Sequence, residues 1–178
     1  FLINKFFTEL DVFLTINEKY IHTQTFTNIA NGALIINELE WAEKFIMEHK
    51  NALLPDAREN TFNYCMAALC TRKKEFEKSL GYLSNIKMSE LTYNLDARLC
   101  YLVNYYEMNL FDQFFSSVDA FKHFISESNN IPDYAAVMAK HCFKFLTKIG
   151  NAKSRNKKLD ISDLKEAESV DSFFIRKW

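Results

Sequence analysis

The sequence predicts an all-α chain, a solenoid of about four stacked helical hairpins with a period of 35 residues. Three observations point there. Turn-forming residues are scarce, with 3 Gly and 2 Pro in 178 residues, whereas sheet proteins need many tight turns built from them. Aromatic residues recur at one spacing: Phe6, Trp41, Phe76 and Phe111 lie 35 residues apart. With aromatics at 15% of the chain, four positions taken at random would hold fewer than one. A second column of large apolar residues follows four positions on (Leu10, Phe45, Leu80, Phe115), and a third three further (Phe13, Glu48, Leu83, Val118), broken only by Glu48. Offsets of 0, 4 and 7 mark one face of a helix.

The elements follow in order. Phe6, Leu10 and Phe13 mark the first such face. "FTNIANGALIINEL" (26–39) is a helix without proline, and "ELE" turns the chain into the helix that carries Trp41. "ARENTFNYCMAALCTRK" (57–73) is the next, with Asp56 and Glu59 expected as a capping box and Pro55 as the stop of the preceding helix. "KKE" leads to the helix of Phe76. "LTYNLDARLCYLVNYYEM" (91–108) and "NL" lead to that of Phe111. A hairpin of this kind cannot bury its apolar stripe alone, so copies must stack. "IPDYAAVMAKHCFKFLTKI" (131–149) reads as one more helix, with Pro132 tolerated near its start. Residues 1–149 are therefore expected as the repeat region. In 150–178, "GNAKSRNKK" breaks the pattern as a basic loop, and residues 160–178 form a last helix that closes the stack.

The hairpin length, with a bulky aromatic early in the second helix, resembles the tetratricopeptide repeat (TPR). "KKEFEKSL" (73–80) stands where that family has its turn, with Phe76 at the aromatic and Ser79 at the small position. Gly32 and Ala67 match the small residue of the first helix. The likeness covers roughly residues 1–128 and is of the degenerate kind found in large uncharacterised bacterial repeat proteins. Departures are Asn28, Asn63 and Arg98 in place of the family's tryptophan, and Glu9, Lys44 and Phe114 at the small position. The resemblance implies a right-handed α–α superhelix whose first helices line a concave side. By the family's register that side holds Ile29, Ile36, Tyr64, Ala68, Thr71, Leu99, Val103 and Tyr106. Such an apolar face suits an apolar or helical peptide or another subunit, or else packs on more of the same chain. The lysines and asparagines with which the family clamps a peptide carboxylate are mostly missing from it.

Chemistry is sparsely signalled. No glycine-rich phosphate loop, nucleophile elbow, HExxH or EF-hand pattern occurs, and no catalytic residue, cofactor or metal is expected. Cys65 and Cys70 point roughly 140° apart on a helix and cannot share a bond or an ion. His141 and Cys142, as helix neighbours, diverge by about 100° and cannot act as base and nucleophile. Glu38, Glu40 and Glu43 suit a helix start. The basic run Lys153, Arg155, Lys157 and Lys158 lacks interleaved aromatics for base stacking.

A net charge of −1 gives no pull toward phosphate backbones, so nucleic acid is disfavoured as a partner. Apolar runs such as Ala33–Ile36 are far too short to span a bilayer. The chain opens on Phe1 and is expected to be part of a longer protein. The compartment expected is cytoplasmic, although an export signal could stand ahead of Phe1. The function expected is a protein–protein interaction or scaffold module with an unidentified protein or peptide partner, self-association included. The alternatives are an RNA-binding helical repeat of the pentatricopeptide type and a non-catalytic segment of a larger regulatory protein.

Overall fold

The computed structural model describes residues 20–87, 91–128 and 133–158, with side chains at 20–87, 95–128 and 143–158. The described residues form seven helices: α1 (Thr23–Ile35), α2 (Leu39–His49), α3 (Pro55–Arg72), α4 (Phe76–Ser84), α5 (Leu91–Glu107), α6 (Phe111–Glu127) and α7 (Asp133–Ser154), with a 3₁₀ turn at Lys50–Ala52. Among the described residues the structure is all-α apart from a single bridge between Ile21 and Leu53. Phe6, Leu10, Phe13, Pro132 and the closing helix expected at 160–178 lie outside the described residues.

Apolar spacing accounts for each helix. Phe26, Ile29, Ala30, Ala33 and Leu34 bury one stripe of α1, and Ala42, Phe45 and Ile46 one of α2. Phe114, Val118, Phe121 and Ile125 do the same for α6 at steps of 4, 3 and 4. Helix α3 differs, being buried on nearly every side from Asn60 to Thr71. It packs against α1, α2 and α4. Several of its buried polar groups are hydrogen-bonded: Thr61 and Thr71 hydroxyls donate to the Ala57 and Ala67 carbonyls, and Asn60 pairs with both the N–H and the carbonyl of Lys87.

Two expectations at the start of α3 are corrected. Pro55 is the first residue of the helix, where its missing N–H is not needed. Asp56 therefore lies inside the first turn. Leu54 is the N-cap, and no side-chain cap bond forms. The break expected at Gly150 is also absent, because α7 runs on to Ser154. A Cβ at Gly150 would collide with the Phe114 ring and lie 3.2 Å from that of Phe115. The glycine is there for close approach of α7 to α6, and four-residue hydrogen bonding carries the helix through it.

The three hairpin turns have one geometry. Asn37, Lys74 and Asn109 sit at φ of 63°, 61° and 58°. In each turn that residue's N–H bonds to the carbonyl three back (Leu34, Thr71, Tyr106). The next N–H bonds five back (Ala33, Cys70, Tyr105), the Schellman pattern that satisfies the last carbonyls of a helix. The residue after the left-handed one is then the N-cap of the following helix, with φ/ψ of −88/64°, −93/62° and −84/70° at Glu38, Glu75 and Leu110. Asn156, at φ 52°, repeats the same two bonds at the end of α7.

These turns set the true register. They lie 37 and then 35 residues apart, so the first hairpin is displaced by two from the aromatic columns. Counted from the turn, Phe76 and Phe111 are equivalent to Leu39, and Trp41 stands two residues later. Ala42, Ser79 and Phe114 are equivalent, and each is fully buried. So are Ile46, Leu83 and Val118, and in the first helices Ala30, Ala67 and Leu102. The shift removes two apparent exceptions, since Ile46 replaces Glu48 in the apolar column and Ala42 replaces Lys44 at the small position.

By contact density the chain divides at Tyr93/Asn94. In the first unit two hairpins stack, α3 lying on both α1 and α2. In the second, Leu99, Leu102, Phe114, Val118, Phe121, Ile125 and Phe143 form one core from α5, α6 and α7.

Candidate interaction surface

Five of the eight residues expected on the concave side are spent on internal packing. In the first unit Ile29, Tyr64, Ala68 and Thr71 are buried, and in the second Leu99 is. Tyr64 Oη accepts from Asn31 Nδ2 at 3.2 Å, tying α3 to α1. Thr71 Oγ1 lies 2.9 Å from Ser79 Oγ, which also reaches the Ala67 carbonyl. Ile36 is exposed, whereas Val103 and Tyr106 are half-buried.

The structure adds a brace that sequence reading did not single out. Arg72, in the last turn of α3, donates from Nε (3.2 Å) and Nη2 (2.7 Å) to the Leu34 carbonyl of α1. Lys153, in the last turn of α7, donates to the Tyr106 carbonyl of α5 at 2.7 Å and lies 4.0 Å from the centre of the Tyr106 ring. Both carbonyls occupy the same place, three residues before the left-handed residue of a hairpin turn. A cation there also meets the negative end of the helix dipole. Next to Arg72, Lys73 pairs with Glu43 of α2, and that hydrogen bond holds the Lys73 ammonium above its ordinary pKa. The expected basic loop thus begins as helix, with Lys153 committed inward and Arg155, Lys157 and Lys158 exposed.

The remaining polar groups are placed as follows. Glu38 is the N-cap of α2, and Glu40 lies exposed in its first turn. Cys65, Cys70 and Cys100 are buried and outside any disulfide, and burial pushes the Cys70 thiol up, away from the reactive thiolate. His22 and His123 are exposed, and His49 lies against Phe45 with ring centres 5.1 Å apart. The side chains of His141 and Cys142 lie outside the described residues. Among the described residues no three His, Cys, Asp or Glu side chains gather as a metal site, and no helix is long and apolar enough to cross a membrane.

Large apolar side chains left exposed are Ile35, Ile36, Met47 and Leu54. Ile35 and Ile36 lie at the turn end of the first hairpin, and Met47 and Leu54 at the other, where α2 leads into α3. Comparison with protein-family models, curated proteins and solved structures returns no match.

Proposed function

We propose that this chain is a TPR-like protein-interaction module, a scaffold of stacked helical hairpins that offers surface to a protein or peptide and carries out no reaction in this segment. The observation that supports the reading is the hairpin turn repeated three times with one backbone geometry. Alongside it, α3 seats on both helices of the preceding hairpin. Repeated hairpins that bury themselves by stacking leave continuous outer faces, which suit extended partners. In the first unit Ile35, Ile36, Met47 and Leu54 are exposed apolar side chains that could meet one, and in the second the exposed parts of Val103 and Tyr106.

Proximity labelling in the source cells tests this, with the chain compared against its Met47→Glu/Leu54→Glu double variant. Both substituted residues are exposed, so the thermal midpoint should not move. The expected result is a defined set of proteins recovered with the parent chain and reduced at least tenfold with the variant. Recovery of RNA that falls steeply with salt would replace this reading by the pentatricopeptide-type alternative, and identical protein recovery from both forms would remove the assigned surface.

A further inference from the structure

Asn31 and Gly32 are the one asparagine–glycine pair among the 178 residues. Glycine sets no side chain beside its own nitrogen. In an open chain, therefore, the backbone nitrogen of such a pair attacks the preceding side-chain amide more readily than that of any other. The fold restrains this pair in two ways. Helix α1 runs through both residues and turns the Gly32 N–H toward the carbonyl four residues back, away from the Asn31 amide. Helix α3 also pins α1 at the pair and just beyond it. Asn31 Nδ2 donates to Tyr64 Oη at 3.2 Å, and Arg72 donates to the Leu34 carbonyl. The restraint is short, because α1 ends at Ile35, four residues past Asn31. Ile35, Ile36 and Asn37 are exposed and Asn31 and Gly32 only half-buried, and a glycine inside a helix weakens it. Helix ends of this kind open far more often than whole units unfold.

We propose that Asn31–Gly32 is a site of spontaneous deamidation, gated by the end of α1 lifting from α3. Once the helix opens, the Gly32 nitrogen gives its proton to hydroxide and bonds to Asn31 Cγ. The Cγ–Nδ2 bond breaks, Nδ2 leaves as ammonia, and a five-membered imide remains. Water then opens the ring. Cleavage between Cγ and the Gly32 nitrogen leaves aspartate at position 31, and cleavage at the main-chain carbonyl leaves isoaspartate. Nothing is oxidised or reduced, and water is the only co-reactant. The change runs one way. Isoaspartate adds a carbon to the main chain, which the hydrogen-bonded ring of an α-helix does not accommodate. Aspartate puts a negative charge near the negative end of α1. Either product loosens the seat of α1 on α3, so the first hairpin keeps a permanent record of having opened.

The test incubates the full chain at pH 8, folded and in urea, and follows the tryptic peptide 20–44 by fragmentation mass spectrometry. That peptide also carries Asn28 and Asn37, which serve as internal controls. Asn31 should convert before either of them, and more slowly in the folded chain than in urea. Tyr64→Phe and Arg72→Met each remove one hold on α1, and each should speed folded-state conversion about two- to tenfold while leaving the rate in urea unchanged. Ser79→Ala weakens the same unit away from α1 and should leave the folded-state rate where it is. Equal rates with and without urea overturn the gate, as does a folded-state rate that neither Tyr64→Phe nor Arg72→Met changes. Acceleration by Ser79→Ala to the same degree overturns it too, because the pair would then be exposed by unfolding of the whole unit. A folded chain that stays unconverted in every variant, while the urea sample converts fully, shows the opening too rare to matter and also ends the proposal.

Discussion

The two units solve one packing problem in opposite ways. Four residues past the N-cap of each second helix lies a fully buried station, filled by Ala42 and Ser79 in the first unit and by Phe114 in the second. Its counterpart on the first helix is Ala30 and Ala67 in one unit, Leu102 in the other. Small residues at both stations let helix backbones approach, and Ser79 uses the closeness to bond the Ala67 carbonyl at 2.9 Å. A ring at the same station needs room elsewhere. The second unit supplies it at Gly150 of α7, where a Cβ would strike Phe114. The ring at this station and the missing side chain at Gly150 are therefore complementary, as close packing demands.

The largest effect should come from emptying the ring's station. Phe114→Ala removes a fully buried ring that lies against Tyr106 and Phe115, with centres 5.8 and 5.3 Å away. A loss of about 3–5 kcal/mol is expected, read by urea denaturation. Ser79→Ala, at the equivalent place, removes hydroxyl bonds only and should cost about 1 kcal/mol. Equal costs at the two stations would break the comparison.

Between these lies Gly150→Ala. In an unobstructed helix interior alanine would be the more stable residue by roughly 0.5–1 kcal/mol. Here the added methyl meets Phe114, and overpacking of that kind costs about 1–3 kcal/mol. Net destabilisation is expected, and a smaller side chain at 114 should turn it into a gain. A double-mutant cycle with Phe114→Leu measures this, and additive costs would show that the glycine answers to something other than the ring.

Much of this arrangement was legible in the sequence, but not its register. The turns at "ELE", "KKE" and "NL" could be placed because polar residues interrupt apolar stripes there. Column matching failed in the first hairpin because Trp41 is aromatic for a reason of its own, stacking on Phe45 at 5.3 Å. The turn residue itself was the better ruler. Asparagine tolerates the left-handed region better than most residues, and it stands at 37, 109 and 156. Only Lys74 gives no such signal. The candidate binding face was less legible still, because side chains such as Ile29 and Tyr64 suit an internal helix–helix contact as well as they suit a groove, and both are buried. The braces of Arg72 and Lys153 could not be read at all, because a basic residue in a last turn is equally at home in solvent.

The smallest effects, those of pH, also separate the units. Burial raises the Cys70 thiol above its ordinary 9.0 in the first unit. The Glu43 hydrogen bond raises Lys73 above 10.5 there. In the second unit burial raises the Tyr101 and Tyr106 phenols above 10.0. In each case the folded chain holds its proton to higher pH than the unfolded chain does. The unfolded state then binds fewer protons, so stability is full below these ordinary values and falls as pH rises through them. Unfolding midpoints measured from pH 7 to 11 should decline from about pH 9 and more steeply above pH 10. Cys70→Ala should flatten the first part of the decline, and Tyr101→Phe only the part above pH 10. If the two variants acted over the same range, the loss would belong to overall charge repulsion and not to these buried groups.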